Sequence, residues 1–197
     1  MNIGVLIPAY NEECSIGKTL DEIIEYDTDI VVVDDGSKDR TVDLVLDRNI
    51  KLLSNKKNIG VAKSVKRGVK YMLQEEYTHV IRMDADGQMD ASKIPKFCQI
   101  VRNNPGLDIV SAGYSEDASW MIKKDMKTYS LLYELGTKNC VRDLLSSYRI
   151  YNRRALCVLQ LELDDEGYSS PLVIMDMHRK GLKSADIHGG VSYDPEN

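Results

Sequence analysis

The chain lacks the features that announce the simplest function classes. Its four cysteines, Cys14, Cys98, Cys140 and Cys157, lie far apart and form no C-x-x-C pair. Neither a zinc centre nor a disulfide framework is indicated, and they read as the reduced thiols of a cytoplasmic protein. His79, His178 and His188 have no spacing suited to a metal, so structural roles are expected for all three. No apolar run reaches the about 18 residues that a membrane span requires. No basic n-region with a long apolar stretch precedes the opening "NIGVLIPAY", as it would in a signal peptide. Any membrane contact is therefore expected to be peripheral. Excess positive charge is missing too: the formal net charge is -5 over 197 residues, with no basic tail or low-complexity tract, which argues against a general nucleic-acid binder. "NKKNIGVAKSVKRG" has neither Walker nor G-x-G-x-x-G spacing, so no phosphate loop is assigned, and Asn58 and Gly60 are expected to shape a turn before a helix.

What is present is ordinary for a globular domain with a sizeable core: 43% hydrophobic and 29% charged residues. Short apolar runs at Ile3 to Ile7, Asp29 to Val33, Lys51 to Leu53, His79 to Met83 and Asp108 to Ala112 alternate with helix-like stretches near 15 to 26, 39 to 48, 61 to 76 and 93 to 103. That alternation predicts βαβ units around a mostly parallel sheet, an α/β fold. Ser37 is the expected N-cap of the second helix, although Arg40 stands where a capping box wants glutamate. After residue 115 the rhythm changes to a helical segment at 118 to 143, the stretch "SSYRIYNRRAL", a helix near 153 to 161, the stretch "YSSPLVIMDMHRKG" and a closing strand-like "LKSADI". No Gly/Ser/Pro linker and no internal repeat divides the chain, so residues 1–197 are expected to form one domain. Met121, Met126, Met175 and Met177 are expected to be apolar packing.

Three strands end in polar clusters: "PAYNEE", "DDGSKD" and "DADGQMD". In an open parallel sheet these would converge at the carboxyl ends, where such folds bind ligands. Asp84 and Asp86, two apart after a strand, repel one another unless a hard divalent cation lies between them, and Gln88 could add a neutral oxygen. A solvated Asp-Gly turn at Gly87 explains the same residues. Asp35 reads as an acceptor for a nucleobase or ribose, with Gly36 letting backbone approach the ligand; Asp-Gly-Ser is equally a turn and cap sequence. In "IPAYNEE" Pro8 is rigid, Tyr10 can lie against a base and Glu12 can accept from base or ribose. Acids favoured in a helix's first turn account for Glu12 and Glu13 as well.

In order and spacing, "IPAYNEE", "VVVDDGSKDRT", "MDADGQ" and "RDLLSSYRIYNRRAL" resemble the successive motifs of inverting glycosyltransferases of the nucleotide-diphospho-sugar transferase (GT-A) fold, over residues 3 to about 188. The subgroup they are most similar to is that of the dolichyl-phosphate mannosyltransferases and related polyprenyl-phosphate sugar transferases. The resemblance implies that Pro8, Tyr10, Glu12, Asp35, Asp84 and Asp86 hold the nucleotide sugar, and that Asp86 and Gln88 bind Mg²⁺ or Mn²⁺. Asp143 matches the Asp of a D-x-T-S-G-F motif and is the candidate catalytic residue, near the sugar and acceptor. Toward a phosphate acceptor, already ionised, it would position rather than take a proton. Residues 1–114 would then be a nucleotide-binding half and 115–197 an acceptor-side half. Two departures stand out: Ser147 replaces the motif's usual Gly, and Gly113 replaces an arginine expected to meet phosphate, for which Lys123 or Lys124 would substitute.

The implied function is metal-dependent transfer of a sugar from a nucleotide-diphosphate donor to a polyprenyl-phosphate or hydroxyl acceptor, at the inner face of the membrane. Residues 118 to 142 carry Lys123, Lys124, Lys127, Lys138 and Arg142 against Asp125 and Glu134, with Trp120, Met121 and Leu131 as apolar surface. Such a segment suits an anionic bilayer, or packs as a basic helix on the domain. The rival functions are a regulatory nucleotide-sugar-binding module without turnover and a sugar-phosphate nucleotidylyltransferase, whose Gly-rich basic loop is missing from "PAYNEECSIGK".

Overall fold

The computed structural model describes residues 1–114, 128, 131, 146–163 and 170–192. The apolar runs fold as β1 (Ile3–Ala9), β2 (Asp29–Asp34), β3 (Lys51–Ser54), β4 (His79–Arg82) and β5 (Ile109–Tyr114). β6 (Arg149–Asn152) and β7 (Ser184–Val191) follow. Between them lie α1 (Ile16–Ile24), α2 (Thr41–Leu46), α3 (Val61–Gln74), α4 (Ile94–Asn103), α5 (Arg153–Glu162) and α6 (Ser170–Arg179). Among the described residues the strands form one sheet in the order β3-β2-β1-β4-β6-β5-β7. All neighbours pair parallel except β6, which runs antiparallel to both β4 and β5.

The sheet is buried on both faces, as the near-continuous apolar runs of its central strands require. Val5, Ile7, Val32, Ile81, Val110 and Ile150 face Ile16, Leu20 and Ile23 of α1 and Ile94, Phe97 and Val101 of α4. The alternate residues Leu6, Val31, Val33, Val80, Ile109 and Tyr151 face Val65, Val69 and Met72 of α3 together with α5 and α6. Met177 belongs to this second layer and Met175 packs against it; Met121 and Met126 lie outside the described residues.

Strand β6 is an element the sequence pattern left unassigned, because it passes at Arg153 straight into α5 and no loop separates its few residues from the helical pattern. Its insertion between β4 and β5 places Ser146, Ser147 and Tyr148 beside the carboxyl end of β4. Ser37 is not a helix cap, because α2 begins only at Thr41. Its Oγ instead accepts from the Asn11 N–H at 2.9 Å, and Asp39 Oδ1 takes the Thr41 N–H at 3.0 Å. Gly113 sits where the β5–β7 register slips between Ala112 and Tyr114. Asp143, Lys123, Lys124 and nearly all of residues 118 to 142 lie outside the described residues. No helix among the described residues is long and apolar enough to cross a membrane.

Candidate active site

The carboxyl ends of β1, β2 and β4 and the first turn of α3 enclose an open cleft of about 310 Å³. Pro8, Tyr10, Glu12, Asp35, Asp84 and Asp86 all line it. Gln88 does not: its backbone N–H donates to Asp86 Oδ1 at 3.0 Å, and its carbonyl accepts from the Ser192 N–H at 2.8 Å. Asn58, Gly60, Val61 and Ser64 complete the wall. Sequence reasoning missed them as site residues, although "NIGVAKS" following a strand marks where a helix N-terminus meets the same edge.

The first two loops are stitched to one another. Asn11 N–H donates to Ser37 Oγ, Lys38 N–H to Asn11 Oδ1 at 2.8 Å, and Glu12 N–H to Thr41 Oγ1 at 2.7 Å. Glu13 N–H donates to Asp39 Oδ2, while its own carboxylate accepts from the Arg40 N–H at 3.1 Å. Helix α1 starts at Ile16, so neither Glu12 nor Glu13 lies in its first turn. Glu13 locks the loops, and Glu12 reaches the cleft with its Oε2 accepting from Ser15 Oγ at 2.8 Å.

Asp35, 3% exposed, builds the opposite wall. Its Oδ1 accepts from Asn55 Nδ2 at 2.8 Å and Ile59 N–H at 3.0 Å, and its Oδ2 from Gly60 N–H at 2.8 Å. Three donors therefore occupy a carboxylate with about four lone-pair positions, leaving room for one more. Gly36, at φ +80°, lets backbone approach, but the backbone is the chain's own: a Cβ there would lie 2.7 Å from the Lys57 carbonyl carbon.

The third loop distributes its acids among different tasks. Asp84 is held by Arg82 Nη2 at 2.7 Å and Ser147 Oγ at 2.6 Å. Asp90 caps the single 3-10 turn Ala91–Lys93 by accepting from the Ser92 N–H at 2.9 Å. Tyr148, with its ring edge-on to Phe97 at 5.0 Å, donates its hydroxyl to the Asp90 carbonyl at 2.9 Å and so anchors the loop from below. Burial pushes the Asp86 carboxyl above its ordinary range, opposed by the Gln88 N–H and reinforced by Asp84. Glu12 is raised as well, by burial first, against its Ser15 bond, with Asp86 and Asp84 adding to it. His79 and His178 are both depressed by burial, and the latter's Nε2 meets Ser184 Oγ at 2.8 Å, a structural use. The His188 side chain lies outside the described structure.

Four carboxylates line the cleft, and no lysine or arginine among the described residues does. A diphosphate would be repelled by this wall unless a cation accompanied it. No group of three or more His, Cys, Asp or Glu among the described residues is arranged as a closed metal cage. The carboxylate oxygens present suit a hard cation such as Mg²⁺ or Mn²⁺, which takes one or two carboxylates and completes its shell with phosphate and water.

Sheet order, the inserted antiparallel strand and this cleft define a GT-A fold. The chain belongs to glycosyl transferase family 2, whose profile matches residues 4–159. It is similar to a dolichyl-phosphate beta-glucosyltransferase of Trichomonas vaginalis, at 27% identity over 94% of this chain and 64% of that one. It is also similar to an undecaprenyl-phosphate mannosyltransferase of Micrococcus luteus, at 26% identity over 85% of this chain and 74% of that one. The chain spans between 43% and 64% of the length of the first curated relatives it matches. Among solved structures, a glucosyl-3-phosphoglycerate synthase of Mycobacterium tuberculosis in complex with Mn²⁺, UDP and phosphoglyceric acid shares the fold. Its TM-score is 0.74 at 17% identity, covering 99% of this chain and 72% of that one.

Proposed function

We propose that the chain moves a sugar from a nucleotide-diphosphate donor to a polyprenyl-phosphate acceptor, with inversion and with Mg²⁺ or Mn²⁺ bound. The observation that carries this is Asp86: a half-buried carboxylate with a raised pKa, in an acidic cleft whose described lining has no basic side chain. The names of the two polyprenyl-phosphate relatives support the acceptor class.

In this account Tyr10, 40% exposed at the cleft mouth, offers its ring to the base. Asp35 fixes the wall and gives its remaining acceptor position to base or ribose. Asp86 holds the cation, with the Gln88 N–H keeping its carboxylate in place. When bound, the cation neutralises the diphosphate and acts as a Lewis acid on the departing nucleotide. A phosphate acceptor is ionised at neutral pH and needs no general base, so Asp143 positions the acceptor rather than deprotonating it. Residues 118 to 142 supply a peripheral contact with the cytoplasmic face of the membrane, where a lipid-linked acceptor resides, and residues 115–197 form the acceptor side of one domain.

A thermal-shift screen of UDP, GDP and their sugars tests the donor site, since a ligand of the native state raises stability by mass action. At least one of them is expected to stabilise the protein with Mn²⁺ and to lose that effect in EDTA. Failure of every nucleotide in both conditions would contradict the proposal.

A further inference from the structure

The acid loop uses its two cleft aspartates unequally. Asp84 accepts on both carboxylate oxygens, from Arg82 Nη2 at 2.7 Å on Oδ1 and from Ser147 Oγ at 2.6 Å on Oδ2. A third bond, from Arg82 Nη1 to the Ser147 carbonyl at 3.4 Å, closes these groups into a ring. Arg82 is 4% exposed, so its charge is buried against Asp84 instead of being dissipated in solvent. The ring spans the antiparallel junction at which Arg82 of β4 lies opposite Arg149 of β6, and it therefore joins the donor loop to the second part of the chain. Asp86 is treated differently. Among the described residues no cationic side chain forms an ion pair with it, and the Gln88 N–H at 3.0 Å is its partner from another residue.

We propose that Arg82 and Ser147 are positioning residues that withhold Asp84 from the cation. Of the two cleft aspartates of the acid loop only Asp86 is then left as a ligand, and cation uptake waits for the nucleotide diphosphate. This rests on the proposed donor site and adds to it an order of binding. A carboxylate neutralised by a guanidinium and capped by a hydroxyl has lost much of the charge that attracts a hard cation. One remaining carboxylate is a weak site for Mg²⁺ or Mn²⁺ until phosphate oxygens join the shell. Cation and nucleotide thus strengthen one another's binding, and by linkage the factor is the same in both directions.

The test is a titration of Mn²⁺, followed through the free-ion paramagnetic resonance signal, without nucleotide and then with UDP or GDP. Ser147→Ala releases Asp84 Oδ2 and is expected to bind Mn²⁺ alone roughly tenfold more tightly than wild type, the size of one charge-assisted hydrogen bond. The enhancement of Mn²⁺ binding by nucleotide should shrink by the same factor. Ser147→Thr, which keeps the hydroxyl, should behave as wild type, and adding Asp84→Asn to Ser147→Ala should abolish the gain. Damage to the fold would weaken binding, so it cannot imitate this result. Unchanged or weaker binding of Mn²⁺ alone by Ser147→Ala overturns the proposal, as does a gain that survives Asp84→Asn. A wild-type protein whose Mn²⁺ binding no nucleotide enhances would instead remove the donor site itself, and this proposal with it.

Discussion

Replacing Asp35 by alanine removes three hydrogen bonds from one buried carboxylate, and the structure says what each donor has left. Gly60 N–H retains Asn58 Oδ1 at 3.1 Å, and Asn55 Nδ2 retains Ser64 Oγ at 2.9 Å. Ile59 N–H has no second partner among the described residues. A hydrogen bond to a charged group contributes about 1.5–3 kcal/mol, and a buried donor left unmatched costs a similar amount. With two of the three donors partly compensated, Asp35→Ala should cost about 3 kcal/mol without any ligand. Asp35→Asn keeps one acceptor oxygen but turns an N–H donor toward Gly60 N–H, and should cost about 2 kcal/mol. Urea unfolding of the nucleotide-free protein reads this as a lower midpoint at unchanged slope. If Asp35 acted only on a ligand, neither substitution would move the ligand-free midpoint. A loss below about 1 kcal/mol for Asp35→Ala would refute its role as the builder of the wall.

Asp86→Asn should abolish Mn²⁺-dependent nucleotide affinity in calorimetry, yet raise the melting temperature in EDTA at pH 7. Because the folded-state pKa of Asp86 is raised, its favourable contribution exists below the ordinary carboxylate range and is lost as pH rises through the folded value. The advantage of Asn should therefore vanish in scans near pH 4, roughly the unperturbed value. His178 has the opposite linkage: its folded pKa is depressed by burial, so its contribution is full above the unfolded value of about 6.5 and declines as pH falls below it. Urea midpoints at pH 7.5 and 5.5 should show that decline, reduced in His178→Gln. Tyr148→Phe loses the bond to the Asp90 carbonyl but keeps the edge contact with Phe97, and should cost about 1 kcal/mol. Phe97→Ala, at a site that is 0% exposed, should cost about 3–5 kcal/mol by the same unfolding measurement.

Strands β1, β2 and β4 and their polar exits are legible because each is an apolar run ended by Pro or Asp, and parallel pairing brings such exits to one edge. Pro8, Tyr10, Glu12, Asp35, Asp84 and Asp86 come together for that reason. What remained hidden depends on contacts between segments far apart in the chain. Nothing local shows that Asn11, Ser37, Asp39 and Thr41 spend their polar groups tying two loops together, or that Glu13 joins them. Gly36 was readable as a close approach, but not that the approaching atoms belong to Lys57. Asp90 ends the same acidic stretch in sequence and is a cap in space, since a local turn takes its carboxylate. Strand β6 escaped because it runs without a loop into α5 at Arg153, and with it went the neighbourhood of Ser147 and Asp84.

Sugar transfer itself is the most direct measurement of the whole account. Incubated with Mn²⁺, a polyprenyl phosphate in detergent and a nucleotide-diphosphate sugar chosen by the thermal-shift screen, the protein should form a glycosylated lipid phosphate of inverted anomeric configuration. EDTA or Asp86→Asn should stop it. Binding of the donor without any transfer to lipid phosphate, or transfer that proceeds undiminished in EDTA and in Asp86→Asn, would contradict it.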